Sequence, residues 1–196
     1  FPTQFLVYLK SLMSRGYTGE ARWQLMPLIN AVATMPLPVL LLVGVGLVSL
    51  VRQWRRRTWQ PVHLLALAWL VIPVARVSLP GAKDFDVIRH WLEFVPAVGL
   101  WAGIGAQALL ARLRLYGGRR FTLPPRWRAH LPLLLILLWL SPIFVWCWRA
   151  HPNELVFYNS LVGGLPGARA RGLPDATDYW ANSYRQGFDW LNAHAP

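Results

Sequence analysis

Four long apolar stretches, separated by short polar segments, dominate the pattern of the chain. Each approaches the roughly 20 residues that an α-helix needs to cross about 30 Å of hydrocarbon. They predict four membrane-spanning helices, at residues 32–51, 62–79, 91–113 and 131–148. The 196 residues are 55% apolar and only 14% charged, which favours an all-α membrane protein over a soluble domain.

Arginines are concentrated in the loops after the first and third stretches, and neither loop contains an acid. These arginines are Arg52, Arg55, Arg56, Arg57, Arg112, Arg114, Arg119, Arg120, Arg126 and Arg128. Short basic loops stay in the cytoplasm. The N-terminal segment, the second loop and the C-terminal tail are therefore predicted to face outward. We interpret the chain as a multi-pass protein of the bacterial cytoplasmic (inner) membrane with both of its termini outside.

The net charge of +12 follows from this topology. The two cytoplasmic loops hold ten of the 20 Lys and Arg residues, and the other ten are opposed by eight acids. No basic-aromatic motif for nucleic acid accompanies the charge, so we expect anionic membrane lipids as partners and no nucleic acid. The single cysteine, Cys147, excludes an intrachain disulfide, and the sequence contains no metal-binding motif.

The polar segments complete the predicted organisation. Residues 1–30 form an outer segment with an interfacial helix at residues 5–13, residues 31–149 form the membrane domain, and residues 150–196 form an outward cap. Within the cap, Gly163 and Gly164 indicate a turn. Apolar residues at 184, 188 and 191 predict a short helix with Ser183 as its N-cap. The chain begins at Phe1, and an outward N-terminus predicts that it is one piece of a larger polytopic protein with a further span before it.

Small residues predict where helices approach each other. Gly44 and Gly46 in the first stretch, and Gly99 and Gly103 in the third, are expected to form close helix contacts. Arg76, at the end of the second stretch, is expected either to extend to the outer interface or to pair with an acid.

Two outward clusters could carry chemistry. The first, residues 83–90, reads KDFDVIRH. Its lysine and arginine could bind a lipid-linked phosphate through charge-assisted hydrogen bonds. The alternative is an interfacial loop of ordinary ion pairs, in which Arg89 pairs with Glu93 or Asp86 and His90 forms only an interfacial hydrogen bond.

The second cluster opens the tail with HPNELVFYN at residues 151–159, followed by the glycines at 163, 164 and 167 and by Asp178-Tyr179-Trp180. This string resembles the C-terminal segment of bacterial phospholipid-carrier-dependent glycosyltransferases, relatives of protein O-mannosyltransferases in glycosyltransferase family 39 of the GT-C superfamily. The DVIRH segment followed by Pro96 and Gly103 is similar to an outer loop of the same family. Trp23, Pro27 and Met35-Pro36-Leu37-Pro38 are similar to its lead-in to a span.

The resemblance implies a partial GT-C fold that helps to transfer a sugar from a polyprenyl-phosphate donor to an acceptor outside the membrane. Donor phosphate would be bound by Lys83, Arg89 and His90. Sugar or acceptor contacts would come from Asp86, Glu154, Tyr158 and Asn159, although the last three could instead only attach the cap to the membrane domain. No cofactor is implied.

The resemblance also implies that catalysis depends on residues outside this chain. In the family the catalytic acid lies in the first outer loop of a longer protein, so the catalytic residue is unknown here and an N-terminal half or other membrane subunits are expected partners. A rival hypothesis is a non-catalytic structural subunit of a larger membrane complex derived from such a transferase.

Overall fold

The protein is an all-α membrane protein. A computed structural model describes residues 25–80, 82, 88–117, 125–173, 175–178, 181 and 183–194. The described residues include four helices that are long and apolar enough to cross a membrane: Leu37–Arg55, Pro61–Ser78, Trp91–Leu113 and His130–Ala150. Each of the four predicted spans is therefore confirmed, with ends that differ from the prediction by zero to five residues.

The helices are numbered here along the chain. They are α1 (Met26–Thr34), α2 (Leu37–Arg55), α3 (Pro61–Ser78), α4 (Val95–Gly117), α5 (Pro125–Ala150), α6 (Gly164–Ala170) and α7 (Tyr184–His194). Short 3-10 helices cover Arg89–Phe94, Glu154–Val156 and Ser160–Val162. The predicted interfacial helix at residues 5–13 lies outside the described residues.

The chain separates into two compact units. The first contains Phe1–Val32 and Gln60–Ala97, and the second contains Ala33–Trp59 and Val98–Pro196. Helices α1 and α4 each begin in the first unit and end in the second.

The first unit is organised by α3 and the 3-10 helix Arg89–Phe94. Helix α3 begins with a capping box, in which the backbone N–H of Gln60 donates to His63 Nδ1 at 3.1 Å and the Gln60 side chain accepts from the backbone. Pro61 occupies the first helical position, where a missing N–H has no consequence. In the same unit Trp91 and Phe94 are buried and stack with their ring centroids 5.0 Å apart.

The second unit contains a close contact between α2 and α4. A Cβ added at Gly105 would overlap the carbonyl oxygen of Leu42, and a Cβ added at Gly46 would overlap that of Trp101. Residue numbers rise along one helix as they fall along the other, so the two helices are antiparallel. The predicted close contact at Gly46 is confirmed.

The other glycines predicted to mediate helix contacts do not do so in the described residues. A Cβ at Gly44, Gly99 or Gly103 would have no atom within 4 Å. The prediction of a tight contact at the Gly99 and Gly103 pair is therefore wrong for this part of the chain, because the helix turns Gly105 toward α2 instead.

Residues 151–178 of the cap contain a small buried core. Tyr158, Ala168 and Ala176 are buried together with Ala33, in the last turn of α1. Gly163 and Gly164 adopt positive φ angles of 80° and 65°, so they form the predicted turn into α6.

The predicted helix α7 is confirmed, but the hydrogen bonds at its start differ from the prediction. The hydroxyl and the backbone N–H of Ser183 both donate to Asp178 Oδ2. Ser183 is therefore a donor to a preceding carboxylate, whereas the prediction made its side chain the acceptor that caps α7.

Candidate functional site

The first predicted cluster lies partly outside the described residues. Lys83 and Asp86 belong to the undescribed stretch, and only the backbone of His90 is described. Arg89 is exposed and begins the 3-10 helix Arg89–Phe94 in the first unit. Of the proposed phosphate ligands, Arg89 is thus the one whose side chain the structure places.

An ion pair lies on the same unit. Arg76, in the last turn of α3, donates to Glu93 Oε1 at 3.2 Å, and about half of each side chain is exposed. The expectation that Arg76 pairs with an acid is confirmed. Glu93 is consequently paired with Arg76, whereas the alternative for the first cluster paired it with Arg89.

Glu154 is a partly exposed carboxylate in the second cluster. His151 Nδ1 and Glu154 Oε1 lie 2.7 Å apart, one helical turn from each other. A backbone hydrogen bond to its own carboxylate, followed by the hydrogen bond from His151, lowers the pKa of Glu154 below its usual value. The carboxylate is therefore ionised at neutral pH and can accept a hydrogen bond, and its lowered pKa makes it a weaker base than an ordinary glutamate.

Asn159 is buried and joins the cap to the chain before α2. Its Nδ2 donates to the carbonyl oxygen of Met35 at 2.8 Å, and its backbone N–H donates to that of Ala33 at 2.8 Å. Its Oδ1 accepts from the backbone N–H of Leu161 at 3.0 Å. Because these bonds go to protein atoms, the geometry favours the attachment role for Asn159 over contact with a sugar.

Tyr158 lies beside Asn159 in the core of the cap. Only 7% of its surface is exposed, and burial, assisted by the charge of Asp175, raises its pKa to about 12. The phenol is therefore neutral at physiological pH. Its position also favours a structural role, so Glu154 remains the accessible member of the second cluster.

Sequence reasoning missed an apolar groove in the membrane part of the second unit. The groove has a volume of about 600 Å³ and lies among α2, α4 and α5. Gly99, Gly103 and Gln107 form one wall, with Val39 on α2 and the pair Ile136 and Leu140 on α5 opposite. Positions 99, 103 and 107 follow each other at four-residue intervals, so they share one face of α4.

The groove is long enough for a chain molecule. Its lining extends along α4 from Gly99 to Ala111, which is about 18 Å at 1.5 Å per residue. At its α2 edge, Trp139 Nε1 donates to the carbonyl oxygen of Pro38 at 2.9 Å. The four-residue spacing of small residues was the available sequence signal, but spacing alone does not distinguish a helix contact from an open groove.

The comparisons with known proteins add no identification. No protein-family model, curated protein or solved structure matches the chain.

Proposed function

We propose that this chain forms the lipid-donor side of a membrane glycosyltransferase that moves a sugar from a polyprenyl phosphate to an acceptor outside the cytoplasmic membrane. The observation that carries the proposal is the apolar groove among α2, α4 and α5. A polyprenyl phosphate has a long hydrocarbon chain, which needs an apolar channel within the membrane, and one anionic head, which needs cationic groups.

The groove supports binding of the hydrocarbon chain. Its lining is apolar apart from Gln107, and its volume of about 600 Å³ falls within the roughly 300–1,000 Å³ range of ligand sites. Glycine at positions 99 and 103 leaves the backbone of α4 open to the groove. A flexible isoprenoid could therefore approach α4 closely.

Arg89 supports binding of the phosphate. A guanidinium binds phosphate oxygens with two parallel hydrogen bonds and keeps its charge at every physiological pH. In this proposal Arg89, with Lys83 and His90, stabilises the phosphate as it leaves the sugar. The carboxylate that accepts the proton of the acceptor comes from another part of the assembly.

The orientation of the second unit is consistent with outward chemistry. The cap is hydrogen bonded to Met35, immediately before α2, whereas Arg52 and Arg55 lie in the last turn of the same helix. The cap and these arginines are therefore at opposite ends of α2. With the arginines in the cytoplasm, the cap and Glu154 would be outside.

The groove is tested by filling it. We expect Gly103→Leu to reduce the amount of polyprenyl phosphate that copurifies with the protein, as measured by mass spectrometry of extracted lipids. Gly44→Leu is the matched control, because Gly44 is also an open, exposed helix glycine but does not line the groove. Equal lipid content in both variants and the parent would refute the donor site.

The phosphate site is tested by activity. In the complete transferase, Arg89→Ala is expected to abolish sugar transfer without loss of folded protein, as judged by gel filtration. Arg185→Ala, which removes an exposed arginine of α7, should leave turnover unchanged. Unchanged turnover of the Arg89 variant would remove this residue from the site.

A second candidate is a structural subunit of a larger membrane complex. The open face formed by Gly99 and Gly103 favours it, since small residues allow a helix of another protein to approach closely. The use of Asn159 for protein contacts is also consistent with this role. Native mass spectrometry of the intact particle separates the two candidates, since a subunit requires a bound protein partner and the donor site requires a bound lipid.

A further inference from the structure

The last helix of the cap has an apolar face that is largely exposed. Tyr184, Phe188 and Leu191 are 64%, 62% and 48% exposed. They lie at positions i, i+4 and i+7 of α7, so they form one continuous stripe. Three large apolar side chains on one helix face require a covering surface of low polarity.

The opposite face of α7 is polar. Gln186 and Asp189 lie on that side, while Trp190 lies at its edge and stacks on His194 with the ring centroids 4.8 Å apart. The helix as a whole is not hydrophobic, yet it separates apolar from polar residues more strongly than any of the four long helices. Low mean hydropathy with strong segregation is typical of helices that lie in the membrane interface.

The start of α7 is fixed to the cap. Asp178 accepts two hydrogen bonds from Ser183, and the cap is held by Asn159 to the backbone of Met35 at the beginning of α2. Ala176, two residues before Asp178, packs against Ala33, so α7 begins near the end of a helix that crosses the membrane. The bilayer surface lies within its reach.

The composition of the exposed surface indicates that the membrane covers the apolar stripe of α7. Tyr and Trp concentrate where hydrocarbon meets water, because their rings are apolar and their N–H or O–H groups are polar. Large apolar side chains are also exposed at the end of α5 and in the segment that follows it, since Trp148 is 87% exposed and Leu155 is 69% exposed. The core of the cap closes without α7.

We propose that α7 lies in the interface of the bilayer that the four long helices cross. Tyr184, Phe188 and Leu191 insert among the upper parts of the acyl chains, while Gln186 and Asp189 face water. The helix then attaches the part of the cap that follows Asp178 to the membrane, in addition to the attachment through Asn159. This role is independent of sugar transfer and would hold equally in a structural subunit.

The test places a fluorescent label on each face of α7 in the full chain. In a Cys147→Ser background, Phe188→Cys and Gln186→Cys are labelled with an environment-sensitive dye in nanodiscs of phosphatidylcholine and phosphatidylglycerol. Quenching is compared between lipids brominated near the head of the acyl chain and iodide in the buffer. We expect bromolipid quenching to be several-fold stronger at position 188, and iodide quenching to be several-fold stronger at position 186.

Two outcomes would overturn the proposal. Equal iodide quenching at the two positions would place both faces of α7 in water. A label at position 188 that neither bromolipid nor iodide quenches would mean that a protein surface covers the stripe. Thermal unfolding of both labelled variants is measured beside the parent, and the Leu191→Cys variant repeats the apolar position if the Phe188 variant does not fold.

Discussion

Helix α4 has two glycine-containing faces with different surroundings. On one face, Gly105 leaves no space for a side chain, because the backbone of α2 lies directly against it. On the other face, Gly99 and Gly103 have open space and line the groove. The same residue type therefore serves close helix packing on one side and an accessible channel on the other.

The contrast shows what glycine does in a membrane helix. It removes a side chain, and the neighbouring element decides whether the space is filled by protein or remains open. At Gly105 the neighbour is the backbone at Leu42. Beside Gly103 the other helices stand further away, and the gap is long enough for a lipid chain.

The largest expected effect comes from breaking the closed face. Gly105→Ala puts a methyl group into the backbone of α2, so the helices must separate, and we expect a loss of at least about 3 kcal/mol, at the upper end of the usual range for overpacked sites. Gly103→Ala adds the same atom to the open face and should stabilise α4 by up to about 1 kcal/mol through helix propensity. Thermal unfolding in detergent measures both. Similar melting temperatures for the two variants would contradict the difference in packing between the faces at Gly105 and Gly103.

The next effect concerns the attachment of the cap at the α2 end. Asn159→Asp keeps the shape of the side chain but replaces the N–H donor to Met35 by an oxygen. A buried acceptor left without its donor costs about 1–3 kcal/mol. Hydrogen exchange should therefore become faster in the cap, while the contact at Gly105 stays protected. Asn192→Asp on exposed α7 is the control, and equal exchange in both variants would argue against the attachment role.

A smaller effect is expected at the edge of the groove. Trp139→Phe removes the hydrogen bond to Pro38 and should weaken the connection between α5 and α2 by about 1 kcal/mol. Trp148→Phe is the matched control, because Trp148 is almost fully exposed at the end of the same helix. The difference between their melting temperatures measures the contribution. A larger fall in melting temperature for the Trp148 variant would show that the Trp139 hydrogen bond does not stabilise the packing of α5 on α2.

The smallest effect is restricted to alkaline pH. Because burial raises the pKa of Tyr158 to about 12, while an unfolded tyrosine titrates near about 10, the folded protein holds its proton more tightly. This contribution is complete below the unfolded pKa and is lost as the pH rises through the folded value. We expect the unfolding temperature of the cap to fall between about pH 10 and 12, and Tyr158→Phe to reduce that slope. An identical slope would place Tyr158 outside the core.

The spans were predictable because length and hydropathy are local properties. The residues at which the helices begin depend on backbone conformation, which hydropathy does not predict. The first stretch was predicted from residue 32, yet α1 ends at Thr34 and α2 starts at Leu37. Met35 precedes Pro36, and a residue before proline disfavours the α conformation, so the chain breaks there.

The candidate site was less predictable, since it depends on contacts between distant residues. The composition HPNELVFYN indicates a polar cluster, but it does not show that Asn159 bonds to the carbonyl oxygen of Met35, 124 residues earlier. The groove needs the relative placement of three helices, which the four-residue spacing of Gly99 and Gly103 leaves open. The ion pair of Arg76 was easier to predict, because a charge at the end of a span has few possible partners.

The bond between Asn159 and Met35 also has a consequence for how the protein is made. All four spans lie between these residues, and an even number of crossings returns the polypeptide to the compartment from which it started. If one span failed to insert, residue 159 would emerge in the opposite compartment and could not reach its partner. A correctly closed cap thus requires an even number of completed crossings, and an exposed Asn159 would identify a product in which one span stayed out of the membrane.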